Sequence, residues 1–117
     1  MNRNHSGLWG EIFAQRYLRD RNIRILNTNF TCRFGELDIV ADNGKEILIV
    51  EVKTRRLDTA IRPMEAVDEH KQRRMTSAAQ LMLKFVDDKR PLRFDVAEVY
   101  LNEDDTLHHI NYIENAF

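Results

Sequence analysis

The chain has one cysteine, Cys32, in 117 residues. No internal disulfide can form, so oxidative stapling plays no part in holding the fold together. Prolines number two and glycines four. No Gly, Ser or Pro tract and no low-complexity segment interrupts the pattern, which excludes a linker-like or collagen-like chain. No apolar run approaches the roughly 20 residues a membrane helix needs. Nothing at the start resembles a basic stretch followed by an apolar signal core, and a cytoplasmic protein is expected. Positive charge is also missing from one region: residues 94–117 hold six acids and neither Lys nor Arg.

What is present fits one domain. Charged residues make up 32% and hydrophobic residues 43%, a globular balance, and the length suffices for one core with a few helices. The net charge of −1 argues neither for nor against a nucleic-acid partner, but its distribution is uneven. Residues 1–34 carry six Arg against two acids, and residues 53–75 carry seven basic residues against four acids. That asymmetry permits a basic face for a polyanion beside an acidic face, although ordinary solvated charge gives the same counts.

Apolar periodicity predicts a helix over Leu8 to Arg21, with Asn22 as its stop. Ile23 to Cys32 alternates as an edge strand, and Glu36 to Ala41 forms a second strand closed by the turn signal Asp42, Asn43, Gly44. Ile47 to Thr54 is the most apolar and β-branched run, which predicts the central strand, covered on both faces. These three strands form an antiparallel meander. Pro63 or Asp68 opens a longer helix with a buried stripe of Val67, Met75, Ala78, Met82 and Phe85, ending before Pro91. Arg93 to Leu101 and Thr106 to Ile113 complete the set as strands.

The chemistry concentrates in "GELDIVADNGKEILIVEVKTR", Gly35 to Arg55. Side chains alternate along a strand, so Glu51 and Lys53 share a face, as do Glu36 and Asp38 on the preceding strand. An antiparallel pairing across the Asp42 to Glu46 turn would bring Asp38 beside Glu51, although sequence leaves that register open. Two converging carboxylates need a counter-charge, and a divalent cation supplies one. Mg²⁺ takes oxygen ligands, so Asp38, Glu51 and the Val52 carbonyl are candidate ligands. Lys53 is then placed to orient water or stabilise charge developing on phosphorus. Glu11, in register with Ala14 and Leu18 on the first helix, is a third acid that needs a partner or a metal. A structural ion-pair cluster at a strand end is the alternative for these residues.

Together, "GLWGEIFAQRYL", "GELDIVA", "ILIVEVKTR", "AVDEHKQRRM", "RFDVAEV" and "NAF" cover nearly the whole chain. In this order they resemble the YraN-type endonuclease family, related to archaeal Holliday-junction resolvases within the PD-(D/E)xK restriction-endonuclease-like superfamily. The resemblance implies an α/β fold, a restriction-endonuclease-like αβββαβ core with a mixed central sheet flanked by helices. It also implies a Mg²⁺- or Mn²⁺-dependent nuclease acting on DNA, including branched or junction structures, with RNA left open. Asp38 and Glu51 match the metal ligands, Lys53 the catalytic lysine, Glu11 the first-helix acid, and Lys71 a basic position facing the site. Leu37 stands where the superfamily's name places proline. Related resolvases act as dimers, so a homodimer is compatible with the resemblance.

Other residues receive plainer readings. Glu36 is expected to pair with Arg33 or another base, the alternative being that it reaches the site. Arg55 and Arg56, with Lys71, Arg73 and Arg74 in "KQRR", are candidates for holding phosphates, against simple solvated charge. His108 and His109 are adjacent on a strand and expected to face opposite ways, without a third ligand at zinc spacing. Trp9, Phe13 and Tyr17 are expected to pack, not to stack bases. The rival function is a non-catalytic nucleic-acid-binding module that recruits a partner through the acidic C-terminal face.

Overall fold

The computed structural model describes residues 5–57 and 67–117. Along the chain run α1 (His5–Arg19), β1 (Arg24–Cys32), β2 (Gly35–Asp42), β3 (Ile47–Arg56), α2 (Glu69–Val86), β4 (Leu92–Leu101) and β5 (Leu107–Ile113). The five strands form one sheet in the order β1-β2-β3-β4-β5. β1, β2 and β3 make the expected antiparallel meander. α2 then crosses over so that β4 runs parallel to β3, and β5 returns antiparallel. The architecture is α/β with a mixed sheet, consistent with a restriction-endonuclease-like core.

Local chemistry explains where the helices stop. α1 closes in a Schellman motif: the Ile23 N–H donates to the Leu18 carbonyl and the Asn22 N–H to Arg19, both at 3.0 Å. Asn22 takes the left-handed conformation this requires, at φ 61°. α1 begins at His5, earlier than the apolar periodicity indicated. Asp68 caps α2, accepting from the Lys71 N–H at 2.8 Å, and Asp87 ends it in the left-handed region. The alternative opening at Pro63 lies outside the described residues.

β3 is the central strand, and its side chains feed two core layers. Ile47 and Ile49 pack with Met75, Ala78, Ala79 and Met82 of α2. Leu48 and Val50 pack with Ala14 and Leu18 of α1. Burying an aliphatic side chain of this size stabilises by about 1.5–3 kcal/mol, so the alternation on this strand decides which helix covers which face. One stripe residue departs from expectation. Phe85 is 78% exposed, and with Val86 exposed beside it, the last turn of α2 extends past the surface that buries Met82.

A second departure positions the site. A period of two should put Leu37 and Ile39 on one face, yet Leu37 packs in the α2 layer and Ile39 in the α1 layer. The reversal falls at Asp38. Opposite it on β1, between the pairs Thr28↔Ile39 and Phe30↔Leu37, Asn29 adopts φ 57°. A left-handed residue in an edge strand rotates the local backbone, and here β2 changes face without an inserted residue. The β2–β3 pairing also ends here, at Ile39↔Val50.

Candidate metal centre

Asp38 therefore sits where two strands part. The register Ile39↔Val50, extended by one residue, sets Asp38 opposite Glu51, the arrangement on which the sequence argument depended. The side chain is fixed in place: Asp38 Oδ2 accepts from the Val52 N–H at 2.9 Å. Burial, then the Glu51 carboxylate, pushes the Asp38 carboxyl up to about 7, with Glu11 adding to the rise. The Val52 N–H and the Lys71 ammonium oppose that shift. At Asp38, burial and the neighbouring acids outweigh the Val52 N–H and the Lys71 charge.

Glu11 comes from α1 and is 5% exposed. α1 can bring it close because Gly10 lies directly over β3: a Cβ on Gly10 would stand 1.8 Å from Thr54 Oγ1 and 2.9 Å from Thr54 Cβ. Glycine there permits an approach that any side chain would block. Glu11, Glu36 and Asp38 each present a carboxylate oxygen, all within 4.8 Å of one another. Glu36, for which the sequence reading preferred a pairing with Arg33 or another base over the site, stands among these acids; the Arg33 guanidinium lies over the Phe34 ring, 4.8 Å from its centroid. The signal was available, because Glu36 and Asp38 are two residues apart on one strand.

Glu51 stands outside that three-carboxylate group. It is 6% exposed, and the Lys71 ammonium contacts its Oε1 at 2.6 Å. Lys71 is thus in contact with one of the acids that the resemblance assigns to the site. Lys53 follows Glu51 on the same strand face, opposite Glu98 in the β3–β4 register. Val52 contributes its N–H to Asp38, and its side chain packs against the α1 layer.

The remaining basic candidates disperse. Arg56 donates to the Glu103 carbonyl and lies 3.6 Å from Asp105, so it braces the β4–β5 turn. Arg73 pairs with Glu69 one helical turn away, at 3.9 Å. Arg55 is half-buried opposite Tyr100, and Arg74 is exposed on α2. The acids of the last two strands are likewise engaged. Asp95, with no exposed surface, accepts from Arg93, Tyr112 and the Asn115 N–H. Glu98 accepts from Asn111, and Asp104 from Thr106. His108 and His109 do not face apart: their Nδ1 atoms lie 2.6 Å from each other, and His109 stacks on Tyr100. Among the described residues, the group of potential metal ligands includes neither histidine. Tyr17 stacks on Tyr112 with centroids 4.9 Å apart, packed as expected, whereas Trp9 stacks on Phe13 and stays exposed.

With this geometry in view, the sequence profile of Uncharacterised protein family UPF0102 matches residues 10–99, a span containing the three clustered acids, Glu51, Lys53 and Lys71. The chain belongs to UPF0102. This is the YraN-type family of the sequence resemblance. A UPF0102 protein of Caldanaerobacter subterraneus subsp. tengcongensis is 41% identical, with 100% of this chain and 98% of that protein aligned. One from Syntrophomonas wolfei is 43% identical over 95% of this chain and 96% of its own length. One from Geotalea uraniireducens is 42% identical over 95% and 87%. These relatives are named for the UPF0102 family alone. Among the described residues of this UPF0102 chain, no helix is long and apolar enough to cross a membrane.

Proposed function

We propose that this UPF0102 chain is a divalent-metal-dependent nuclease that hydrolyses phosphodiester bonds in DNA, with branched or junction structures among its substrates. The observation that carries this reading is the convergence of Glu11, Glu36 and Asp38, from a helix and a strand, within 4.8 Å of one another. The donor set fits the ion. All three ligands are carboxylate oxygens, which suit Mg²⁺ and Mn²⁺ and give nothing to a thiolate- or imidazole-seeking metal. The raised Asp38 carboxyl marks a place where added positive charge is favourable.

Glu11, Glu36 and Asp38 would hold the ion, and Glu51 borders the same pocket of charge. When bound, such an ion polarises a phosphoryl oxygen and eases deprotonation of water. The chain's own residues account for the rest. The Val52 N–H holds Asp38 in one orientation, so its carboxylate is preorganised. Lys53, on the Glu51 face of β3, supplies a cation where negative charge grows on phosphorus. Arg55 and Arg74 are the basic candidates left to hold backbone phosphates, which position nucleic acid without reading its sequence. The resemblance to junction resolvases supports DNA and branched structures as the substrate class.

The test is cleavage of linear, flapped and four-way-junction DNA, and of matched RNA, with Mg²⁺ or Mn²⁺, by the wild type, Asp38→Asn and Lys53→Ala. Metal-dependent cutting abolished by both substitutions is the expected result. Salt-sensitive binding without cutting by any form would replace the enzyme with the non-catalytic binding module. Absence of binding at moderate salt would overturn both.

A further inference from the structure

We propose that Arg55, Tyr100 and His109, in one row across β3, β4 and β5, hold a backbone phosphate of the DNA strand next to the point of cutting. This rests on the nuclease reading above and extends it to where the strand lies. Strand alternation places the row. Ile47 and Ile49 of β3 pack in the α2 layer, and Leu48, Val50 and Val52 in the α1 layer. Lys53 and Arg55 therefore point to the α2 side. On β4, Val96 belongs to the α2 layer and Ala97, Val99 and Leu101 to the α1 layer, which turns Glu98 and Tyr100 the same way. His109 and Asn111 follow, because Ile110 and Tyr112 of β5 pack in the α1 layer. Among the described residues, the α2 layer includes nothing of β3 beyond Ile49 or of β4 beyond Val96. The start of α2 meets the sheet where Lys71 contacts Glu51, and the strand ends past that point form a shelf beside it.

Two rows cross this shelf. The first is Lys53, Glu98 and Asn111 in register, and its acid is engaged, since Asn111 Nδ2 donates to Glu98 Oε1 at 2.7 Å. The second is Arg55, Tyr100 and His109. It contains no acid, and each of its side chains can donate a hydrogen bond. His109 stacks on Tyr100 with centroids 4.4 Å apart and planes 9° from parallel. The His109 Nδ1 meets the His108 Nδ1 at 2.6 Å, so Nε2 is the ring nitrogen available to a ligand. Arg55 Nε is buried without a hydrogen-bond partner, a costly state for a charged group. Turning the guanidinium onto a phosphate, which it can grip with two N–H groups, would relieve it.

The spacing suits one strand. Arg55 follows Lys53 by two residues, about 7 Å along β3. Successive nucleotides of a strand advance about 3.4 Å along the helix axis, so a phosphate about two nucleotides from the one at Lys53 falls near Arg55. A contact to phosphate positions the strand without reading its sequence, which fits recognition of DNA by structure.

The experiment is fluorescence anisotropy of a labelled flapped DNA, in the Asp38→Asn background and without divalent metal, so that binding is read apart from cutting. Added to that parent are Arg55→Gln, the paired change Tyr100→Phe with His109→Asn, or Lys84→Gln, which removes a charge from the last turn of α2. Arg55→Gln should weaken binding about tenfold, and the paired change about three- to tenfold. Lys84→Gln should alter it by less than about twofold, because salt screens a distant charge. The paired change keeps most of each side chain and so carries the test if Arg55→Gln fails to fold. Replacing single phosphates by neutral methylphosphonates should then find one position that weakens binding by the parent but not by Arg55→Gln. Parent-like binding by both row variants, an equal loss in Lys84→Gln, or no position whose effect depends on Arg55 would overturn the proposal and leave the nuclease reading, tested by cutting, intact. No binding by the parent at moderate salt, together with no cutting by the wild type, would overturn both; no binding by the parent beside wild-type cutting would overturn the phosphate row alone.

Discussion

Replacing Gly10 with alanine tests the contact that brings Glu11 to the centre. The added methyl would stand 1.8 Å from Thr54 Oγ1, 2.9 Å from its Cβ and 3.0 Å from its Cγ2. Rotating χ1 moves Oγ1 and Cγ2 aside but leaves Cβ, which is tied to the β3 backbone, so α1 itself must lift. Two effects compete. Alanine is favoured over glycine inside a helix by about 1 kcal/mol, and overpacking a close contact costs about 1–3 kcal/mol. The net expectation is a loss of about 0–2 kcal/mol, towards the upper end because the clash involves a strand Cβ and not a flexible tip. Urea denaturation reads the stability, and Mn²⁺ titration reads the site. Since Glu11 is the next residue, its carboxylate moves with the helix, and a ligand misplaced by more than about 0.5 Å loses function. Mn²⁺ affinity should therefore fall even where the protein remains fully folded. Adding Thr54→Gly removes all three obstructing atoms and should restore Mn²⁺ binding, despite the cost of glycine in a strand. A Gly10→Ala protein as stable as the wild type with unchanged Mn²⁺ affinity would refute the close approach and its role in placing Glu11.

Four further outcomes are expected. Arg93→Met should cost about 3–5 kcal/mol in denaturant unfolding, because it leaves the fully buried Asp95 carboxylate without its guanidinium, held at 2.8 and 2.9 Å. Tyr112→Phe should cost less, about 1.5–3 kcal/mol for one hydrogen bond to a charged acceptor. Arg90 holds both Asp42 and Asp88 below the usual carboxylate range, chiefly through its side-chain hydrogen bonds. Lowered folded-state values mean that this stability is present above pH 3.8, the ordinary carboxyl value, and is lost as pH falls through the lowered ones. Arg90→Met should thus flatten the acid limb of a thermal stability profile, and an unchanged limb would count against the pairing. Phe85→Ser, at a residue 78% exposed, should change unfolding free energy by less than about 0.5 kcal/mol; a larger loss would show that the last turn of α2 is packed.

Much of the fold was legible because its signals are local. The apolar run Ile47 to Val50 reads as a doubly covered strand, Asn22 as a helix stop, and Asp68 as a cap, each from chemistry acting within a few residues. Glu11, Asp38, Glu51 and Lys53 stood out for a similar reason: acids in or beside apolar stretches need partners. Phe85 was misjudged because helical periodicity identifies a face but not where the partner surface ends. The pairing of Arg56 was not legible because its partners, Glu103 and Asp105, lie 47 and 49 positions along the chain. His108 and His109 meet through ring orientation, which strand alternation does not specify.

The sequence by itself determined the strand meander, the two covering helices and the identity of the acids, since periodicity, caps and turn residues act at short range. Tertiary structure alone decided how those acids divide. The glycine contact between α1 and β3 brings Glu11 to Asp38 and Glu36. The crossover to β4 leaves Lys71, at the start of α2, against Glu51. Those assignments depend on where separate elements meet in space, and a carboxylate's neighbours within a few ångströms govern its charge and its ligands more strongly than its neighbours in sequence.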